Sequence, residues 1–227
     1  QRQMCIRDRR HYDAYLFDLD GTLVDTAPDL GQALNASLRD AGFPGVTTDQ
    51  ARQWIGFGAR YSLTQAIEHH QLALTESATD QLLEGFLNFY AAHVADASTP
   101  YDSVIDTLDV LHDAGAKLAV VTNKPARFTV PLLSALSLDG YFESVISGDT
   151  ATQPKPAADP ILLCLDELNV GIDQALMVGD SRADVGAAKA AGVDIACFRH
   201  GYNHGMDVRA MEPNFVFDRL CEILPIS

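Results

Sequence analysis

The stretch Phe17-Asp18-Leu19-Asp20-Gly21-Thr22-Leu23-Val24-Asp25-Thr26 carries two carboxylates two residues apart, followed at once by a glycine. It begins where a short apolar run, Ala14 to Asp18, ends, and that run reads as a buried strand. Carboxylates placed there can hold a hard cation, attack as nucleophiles or move protons. They can equally belong to a solvated turn with an Asx cap, and D-x-D-G alone is a common coincidence. The longer D-x-D-G-T-L-V-D string is far more specific. Other reactive residue types give weaker patterns. His200 and His204 have H-x3-H spacing, but a zinc pair needs helical context and further ligands, and these lie in a Gly/Asn loop. His69 and His70 read as part of a solvated helix face. Cys5, Cys164, Cys197 and Cys221 form no C-x-x-C pair and show no zinc spacing. Cys164 and Cys197 sit in apolar runs and read as buried, reduced thiols.

The long string resembles the first motif of the haloacid-dehalogenase-like hydrolases. That resemblance implies three further signals in a fixed order, and the sequence has a residue for each. Thr122 closes the apolar run Lys117 to Thr122 and is followed by Asn123 and Lys124; by itself it would pass for a helix N-cap. Lys155 stands between Pro154 and Pro156; a lone Lys is usually a solvated charge. Asp180, Ser181 and Asp184 follow the run Ala175 to Asp180, where a capped helix start is the ordinary explanation. Four such signals in order, each at the carboxyl end of a candidate strand or in the neighbouring loop, point to one shared site. The likeness extends from Tyr12 to Pro225.

The resemblance implies a Mg²⁺-dependent phosphatase that works through an aspartyl-phosphate intermediate. Asp18 is the implied nucleophile, and Asp20 the implied acid and base. Asp18, Asp180 and the backbone carbonyl of Asp20 are the implied metal ligands, supported by Asp184 and Ser181. Thr122 and backbone N–H groups from Leu19 to Gly21 would hold the phosphoryl oxygens, and Lys155 would balance charge. Elementary chemistry agrees, since the oxygens of a phosphate monoester repel an anionic nucleophile and a metal with fixed cations must offset them. An Asp at position 20 is typical of the family's phosphatases and phosphomutases and is lacking in its dehalogenases.

Three runs narrow the resemblance further: Thr122-Asn123-Lys124-Pro125, Gly179 to Gly192, and Gly201-Tyr202-Asn203-His204-Gly205. Together they look like the bacterial phosphoglycolate phosphatases, which release glycolate and phosphate from 2-phosphoglycolate. Ala158 stands where those relatives usually have Pro. Phosphatases of N-acetylmuramic acid 6-phosphate share much of this pattern, and a sugar phosphomutase would share every catalytic residue. A phospho-acceptor module of the receiver type would be about half this length and would lack an insertion. Thr122, Asn123 and Lys124 are the expected substrate contacts, together with Arg60, whose guanidinium suits a carboxylate.

The elements that must position these residues alternate. Ala14 to Asp18, Lys117 to Thr122, Ala175 to Asp180 and Asp194 to Phe198 read as strands, with Ser144 to Ser147 a weaker fifth. Between them fall helical patterns: Val104, Leu108 and Leu111; Val130, Leu133 and Leu136; and Ile161, Cys164, Leu165 and Leu168. This predicts an α/β fold with a doubly wound, Rossmann-like parallel sheet that binds its ligand at the strands' carboxyl ends. The alternation breaks from Ala27 to about Ser98, where no strand is convincing. Leu30, Leu34, Leu38 and Ala41 fit one helix, and Leu82, Leu83, Phe86, Leu87 and Tyr90 another. Asp49 to Trp54 and Ala59 to His70 look like shorter helices around Gly56-Phe57-Gly58. The expected division is therefore a leader over 1–10, disordered or artefactual; an α/β core over 11–26 and 99–227; and a helical cap over 27–98.

The chain has 227 residues and a net charge of -15, with 31 acidic and 16 basic side chains. That balance argues against nucleic acid as a partner and for a soluble, cytoplasmic protein that handles a small molecule, which the resemblance implies is a phosphate ester. It also requires local positive charge wherever an anionic substrate binds. No apolar run reaches the ~18 residues of a membrane span, and no signal-peptide pattern is seen. Oligomeric state is not legible.

Overall fold

A computed structural model describes residues 11–56 and 58–224. The expected leader, Cys5, Phe57 and Pro225 lie outside the described residues. Six strands form one parallel sheet: β1 (Ala14–Phe17), β4 (Lys117–Val121), β5 (Ser144–Ile146), β6 (Ala175–Gly179), β7 (Asp194–Phe198) and β8 (Phe215–Phe217). Their order across the sheet is β5-β4-β1-β6-β7-β8, with β1 at the centre. The α/β doubly wound fold expected from the alternation is the one observed.

Each strand buries alternate residues against opposite faces. Tyr15, Phe17, Leu118, Val120, Leu176 and Val178 join one apolar cluster, packed by α5 (Val104–Asp113) and α6 (Ala126–Ala135). Ala14, Leu16, Ala119, Val121, Met177 and Cys197 join the other, covered by α7 (Asp159–Leu168) and α8 (Arg182–Ala191). A sheet covered on both faces explains why its strands read as unbroken apolar runs. The expected face of α7 is buried throughout, and Cys164 and Cys197 are buried free thiols.

Two corrections concern elements. The sixth strand, β8, had no place in the sequence reading. It is three residues long, and only one of them is fully buried, so it carries no period to detect. The face expected for α6 is also wrong in part, since Val130 is 58% exposed. The buried side of that helix is Phe128, Thr129, Leu132 and Leu133. A ten-residue amphipathic segment offers two overlapping apolar stripes, and Phe128, at the helix start, decides between them by packing outside the sheet core.

Phe128 packs into a third cluster, formed by α1 (Ala27–Asp40), α2 (Thr48–Trp54), α3 (Ala59–His69) and α4 (Glu76–Ala92). Leu34, Leu38, Leu63, Leu82, Phe86 and Tyr90 fill it, and α1 lies along α4. Among the described residues, no strand interrupts these helices. Two short strands flank them, β2 (Val24–Asp25) and β3 (Thr99–Pro100), and these pair antiparallel with Val24 opposite Pro100 and Asp25 opposite Thr99. Buried Asp29, in the first turn of α1, binds the returning chain: it accepts from Ala97 N at 2.9 Å, Ser98 N at 2.7 Å and Ser98 Oγ at 2.6 Å.

Candidate active site

β4, β1 and β6 are neighbours in the sheet, and the three end together. Asp18 leaves β1, Thr122 leaves β4 and Asp180 leaves β6, each as the next residue after its strand. Lys155 arrives from the loop after β5, and Asp184 from the first turn of α8. The ionisable residues singled out at the four sequence signals therefore meet at one edge of the sheet.

Lys155 is the hub. Its buried ammonium lies 2.9 Å from Asp18 Oδ1 and 2.6 Å from Asp184 Oδ1, and it donates to the carbonyl of Val121 at 2.7 Å. Burial pulls its pKa down, but Asp18 and Asp184 outweigh that and hold it above the usual lysine value. Asn123 fixes the loop that carries it, donating to the Lys155 carbonyl and accepting from the Lys155 N–H, both at 2.9 Å. Asn123, expected to touch substrate, thus serves here as a clamp on Lys155.

Asp184 has two tasks. Its Oδ2 accepts from Ser181 N at 2.9 Å and Ser181 Oγ at 2.6 Å, while Ser181 caps α8 in return. The reciprocal capping box that would explain this motif in an ordinary protein is present, and the other carboxylate oxygen still reaches Lys155. Thr122, by contrast, caps no helix: α6 begins at Ala126, and Thr122 Oγ1 accepts from Lys124 N at 3.2 Å.

Asp18, Asp180 and Asp184 are all buried and offer oxygens that lie within 4.8 Å of one another. Burial and the Asp184 charge push the Asp18 carboxyl up to about 6, against the pull of Lys155. Burial, Asp184 and Asp18 hold Asp180 well above the usual carboxylate range. One lysine among three carboxylates leaves negative charge uncompensated, and the donors are all hard oxygens. The cluster therefore fits a hard divalent cation.

The surroundings of Asp180 show how tightly this set is held. Thr22 Oγ1 donates to Asp180 Oδ1 at 2.8 Å, and the Tyr202 N–H donates to Oδ2. Gly201 packs so closely that an added Cβ would lie 2.1 Å from the Asp180 Cβ. Gly21, at φ +88°, would put a Cβ 2.6 Å from Asp180 Oδ2. Glycine at 21 meets both a backbone requirement and a space requirement.

Asp20 faces the helical layer. Thr26 Oγ1 donates to its Oδ1 at 2.7 Å, and the Lys124 ammonium lies 2.9 Å and 3.2 Å from its two oxygens. Lys124 also bonds Tyr90 Oη of α4 at 2.6 Å. Burial lowers the Lys124 pKa, but Asp20 and Tyr90 raise it further. Lys124, expected as a substrate contact, is committed to Asp20 and Tyr90. Arg60 reaches the cavity rim, where its guanidinium pairs with Asp80. Lys124–Tyr90 is one tie between layers, and Arg52 of α2 makes another, holding Asp25 through two bonds of 2.9 Å. Tyr202 Oη donates to the same Asp25 at 2.7 Å and accepts from Ala27 N at 2.9 Å.

Between the sheet edge and the helices lies a cavity of about 340 Å³, lined by Asp18, Asp20, Thr122, Lys155 and Asp180 on one side. Leu30, Ile55, Leu83, Phe86 and Phe128 give it an apolar wall, and Arg60, Tyr90, Lys124 and Arg127 also line it. His204 Nδ1 lies 2.7 Å from the Gln53 carbonyl, and His200 Nε2 lies 3.6 Å from Asp218. Sequence reasoning missed Thr22, Thr26, Tyr90 and Tyr202 as parts of the site. The two threonines lie inside the first motif and Tyr202 inside the quoted Gly201 to Gly205 run, so position marked them. Tyr90 carried no signal beyond its helical period.

The sequence profile of the family described as Haloacid dehalogenase-like hydrolase matches residues 15–198. Phosphoglycolate phosphatase 1 of Pseudomonas aeruginosa is 42% identical over 216 residues, covering 93% of this chain and 78% of that protein. The phosphoglycolate phosphatase of Colwellia psychrerythraea is 40% identical over 215 residues, covering 93% and 95%. Among solved structures, a predicted phosphoglycolate phosphatase from Haemophilus somnus 129PT superposes with a TM-score of 0.88 at 31% identity, covering 94% of this chain and 97% of that one.

Proposed function

Because the chain belongs to the haloacid dehalogenase-like hydrolases and is a phosphoric monoester hydrolase, we propose that it converts 2-phosphoglycolate to glycolate and phosphate, with Mg²⁺ as cofactor. The observation that carries the reading is the buried Asp18–Asp180–Asp184 cluster around Lys155, with Asp20 across the same cavity. The substrate is inferred from the names of relatives 40–42% identical to this chain.

Asp18, Asp180 and the Asp20 carbonyl would hold Mg²⁺, which when bound offsets the charge of the phosphate oxygens. Asp18 attacks phosphorus as the bond to the ester oxygen breaks, and Asp20 gives its proton to the leaving alkoxide. The first product is glycolate, and the phosphoryl group remains on Asp18. Water then attacks phosphorus, its proton passes to Asp20, and inorganic phosphate leaves with the Asp18 carboxylate restored. Thr122 and the N–H groups of Leu19 and Asp20 hold the transferring oxygens, the expected Gly21 N–H being taken by the Val24 carbonyl at 2.9 Å, while Lys155 keeps Asp18 aimed and balances its charge.

In this reading the helices over 27–98 act as a cap on a core made of 11–26 and 99–227. The cap excludes bulk water and holds Asp20 through Tyr90 and Lys124. The test is phosphate release from 2-phosphoglycolate, N-acetylmuramic acid 6-phosphate, hexose phosphates and pyrophosphate, with Mg²⁺ or EDTA. A Mg²⁺-dependent preference for 2-phosphoglycolate is expected. Preference for another ester would move the substrate assignment, and no release from any of them would refute the proposal.

A further inference from the structure

Four basic side chains line the cavity: Arg60, Lys124, Arg127 and Lys155. Three are committed to carboxylates. Arg60 holds Asp80, Lys124 holds Asp20, and Lys155 holds Asp18 and Asp184. Among the described residues, no carboxylate pairs with Arg127. It is exposed, sits in the first turn of α6, and follows the Thr122–Pro125 loop that borders the phosphoryl site. Its guanidinium carbon lies 4.5 Å from the Phe128 ring centroid. Such stacking steadies the guanidinium plane and leaves its N–H edge open to an anion.

The charge around the cavity gives this cation a purpose. Four carboxylates face two buried lysines at the reacting end, so a divalent cation brings that end only to balance. An ester bearing a second anionic group brings negative charge that, among the described lining residues, no other uncommitted cation offsets. The wall built by Leu30, Leu83, Phe86 and Phe128 offers that group no partner, and a buried, unpaired anion is costly.

We infer that Arg127 is the specificity-determining residue of this hydrolase, pairing with a carboxylate on the leaving group and so selecting anionic phosphate esters over neutral ones. The inference rests on the phosphatase reading above. It assigns leaving-group recognition to the α/β layer at α6, whereas Arg60, the sequence-level candidate, is held by Asp80.

The test compares 2-phosphoglycolate with 2-hydroxyethyl phosphate, which replaces the carboxylate by a neutral hydroxymethyl group. The full chain is assayed with saturating Mg²⁺ as wild type, Arg127→Met and Arg127→Lys. Wild type is expected to favour the carboxylate ester in kcat/KM. Arg127→Met should reduce that preference on the order of 10–100-fold, as expected for losing a hydrogen-bonded charge pair, with the change mainly in KM. Arg127→Lys should restore part of it. Melting temperatures of the variants separate this from misfolding. Equal losses on both esters, or no loss on 2-phosphoglycolate, would overturn the role of Arg127. A wild type that cleaves both esters equally well would also overturn it while leaving the hydrolase intact. A folded, metal-loaded wild type that cleaves neither would instead remove the phosphatase reading on which the inference stands.

Discussion

In the proposed mechanism Asp18 attacks, and a chain of contacts that begins at Lys155 aims it. Lys155 holds one of its oxygens, and Asn123 and the Val121 carbonyl hold Lys155. Asp18→Asn should therefore abolish turnover while the fold survives, because the amide keeps the shape and loses the nucleophilic charge. Circular dichroism with phosphate release tests this, and mass spectrometry checks that no deamidated enzyme is counted. The same carboxylate predicts a pH effect. Its pKa rises from 3.8 to about 6, chiefly through burial and then through Asp184. The folded, metal-free chain thus holds that proton more tightly than the unfolded chain does. The contribution is neutral below about pH 4 and weakens the fold as pH rises from there through about 6. A bound cation offsets this penalty. The gap in melting temperature between Mg²⁺-saturated and EDTA-treated protein should widen from pH 5 to pH 7.5, and a flat gap would contradict it. Most of the reacting residues were legible in the sequence because four motifs stand in the order that the family resemblance implies, at strand ends or in the loops beside them. Their hydrogen-bond partners were not, since the pairing of Asp180 with Thr22 and the Tyr202 N–H spans 158 and 22 residues.

Element recognition followed element length. β1, β4, β6 and β7 are buried on both faces and stand out as apolar runs, whereas β2 and β3 have two residues each and no period can show in two. The same limit hid β8. Helices α1 to α4 were legible from their stripes, but the means by which α1 meets the returning chain was not. That junction is Asp29, which is buried and accepts from two backbone N–H groups and one hydroxyl. Asp29→Ala leaves those donors facing a void, with an expected cost of about 3 kcal/mol. Chemical denaturation should show this as a lower midpoint, and an unchanged midpoint would mean that water replaces the carboxylate without penalty.

At the scale of the whole molecule, the charge of -15 opposes the approach of an anionic ester, although the cavity itself holds Lys155 and Arg127. Salt screens the long-range repulsion and hardly touches contacts in the cavity. At fixed free Mg²⁺, kcat/KM for 2-phosphoglycolate should rise a few-fold, roughly 2–5, between about 10 and 150 mM salt. A steep fall would show that local attraction governs encounter. Sequence charge predicted this conflict, while the placement of the compensating cations became visible only in three dimensions. The antiparallel pairing of β2 with β3 has a consequence of another kind. It sets Asp25 opposite Thr99, so the chain departs from the α/β layer and rejoins it at one point. Everything between is a cassette on a two-strand stem. A short hairpin turn joining those two strands would close the stem without moving β1 or α5. On the proposed reading of 27–98 as a cap, that segment can be exchanged for another lid to retune what is hydrolysed while the proposed phosphoryl-transfer residues stay in place.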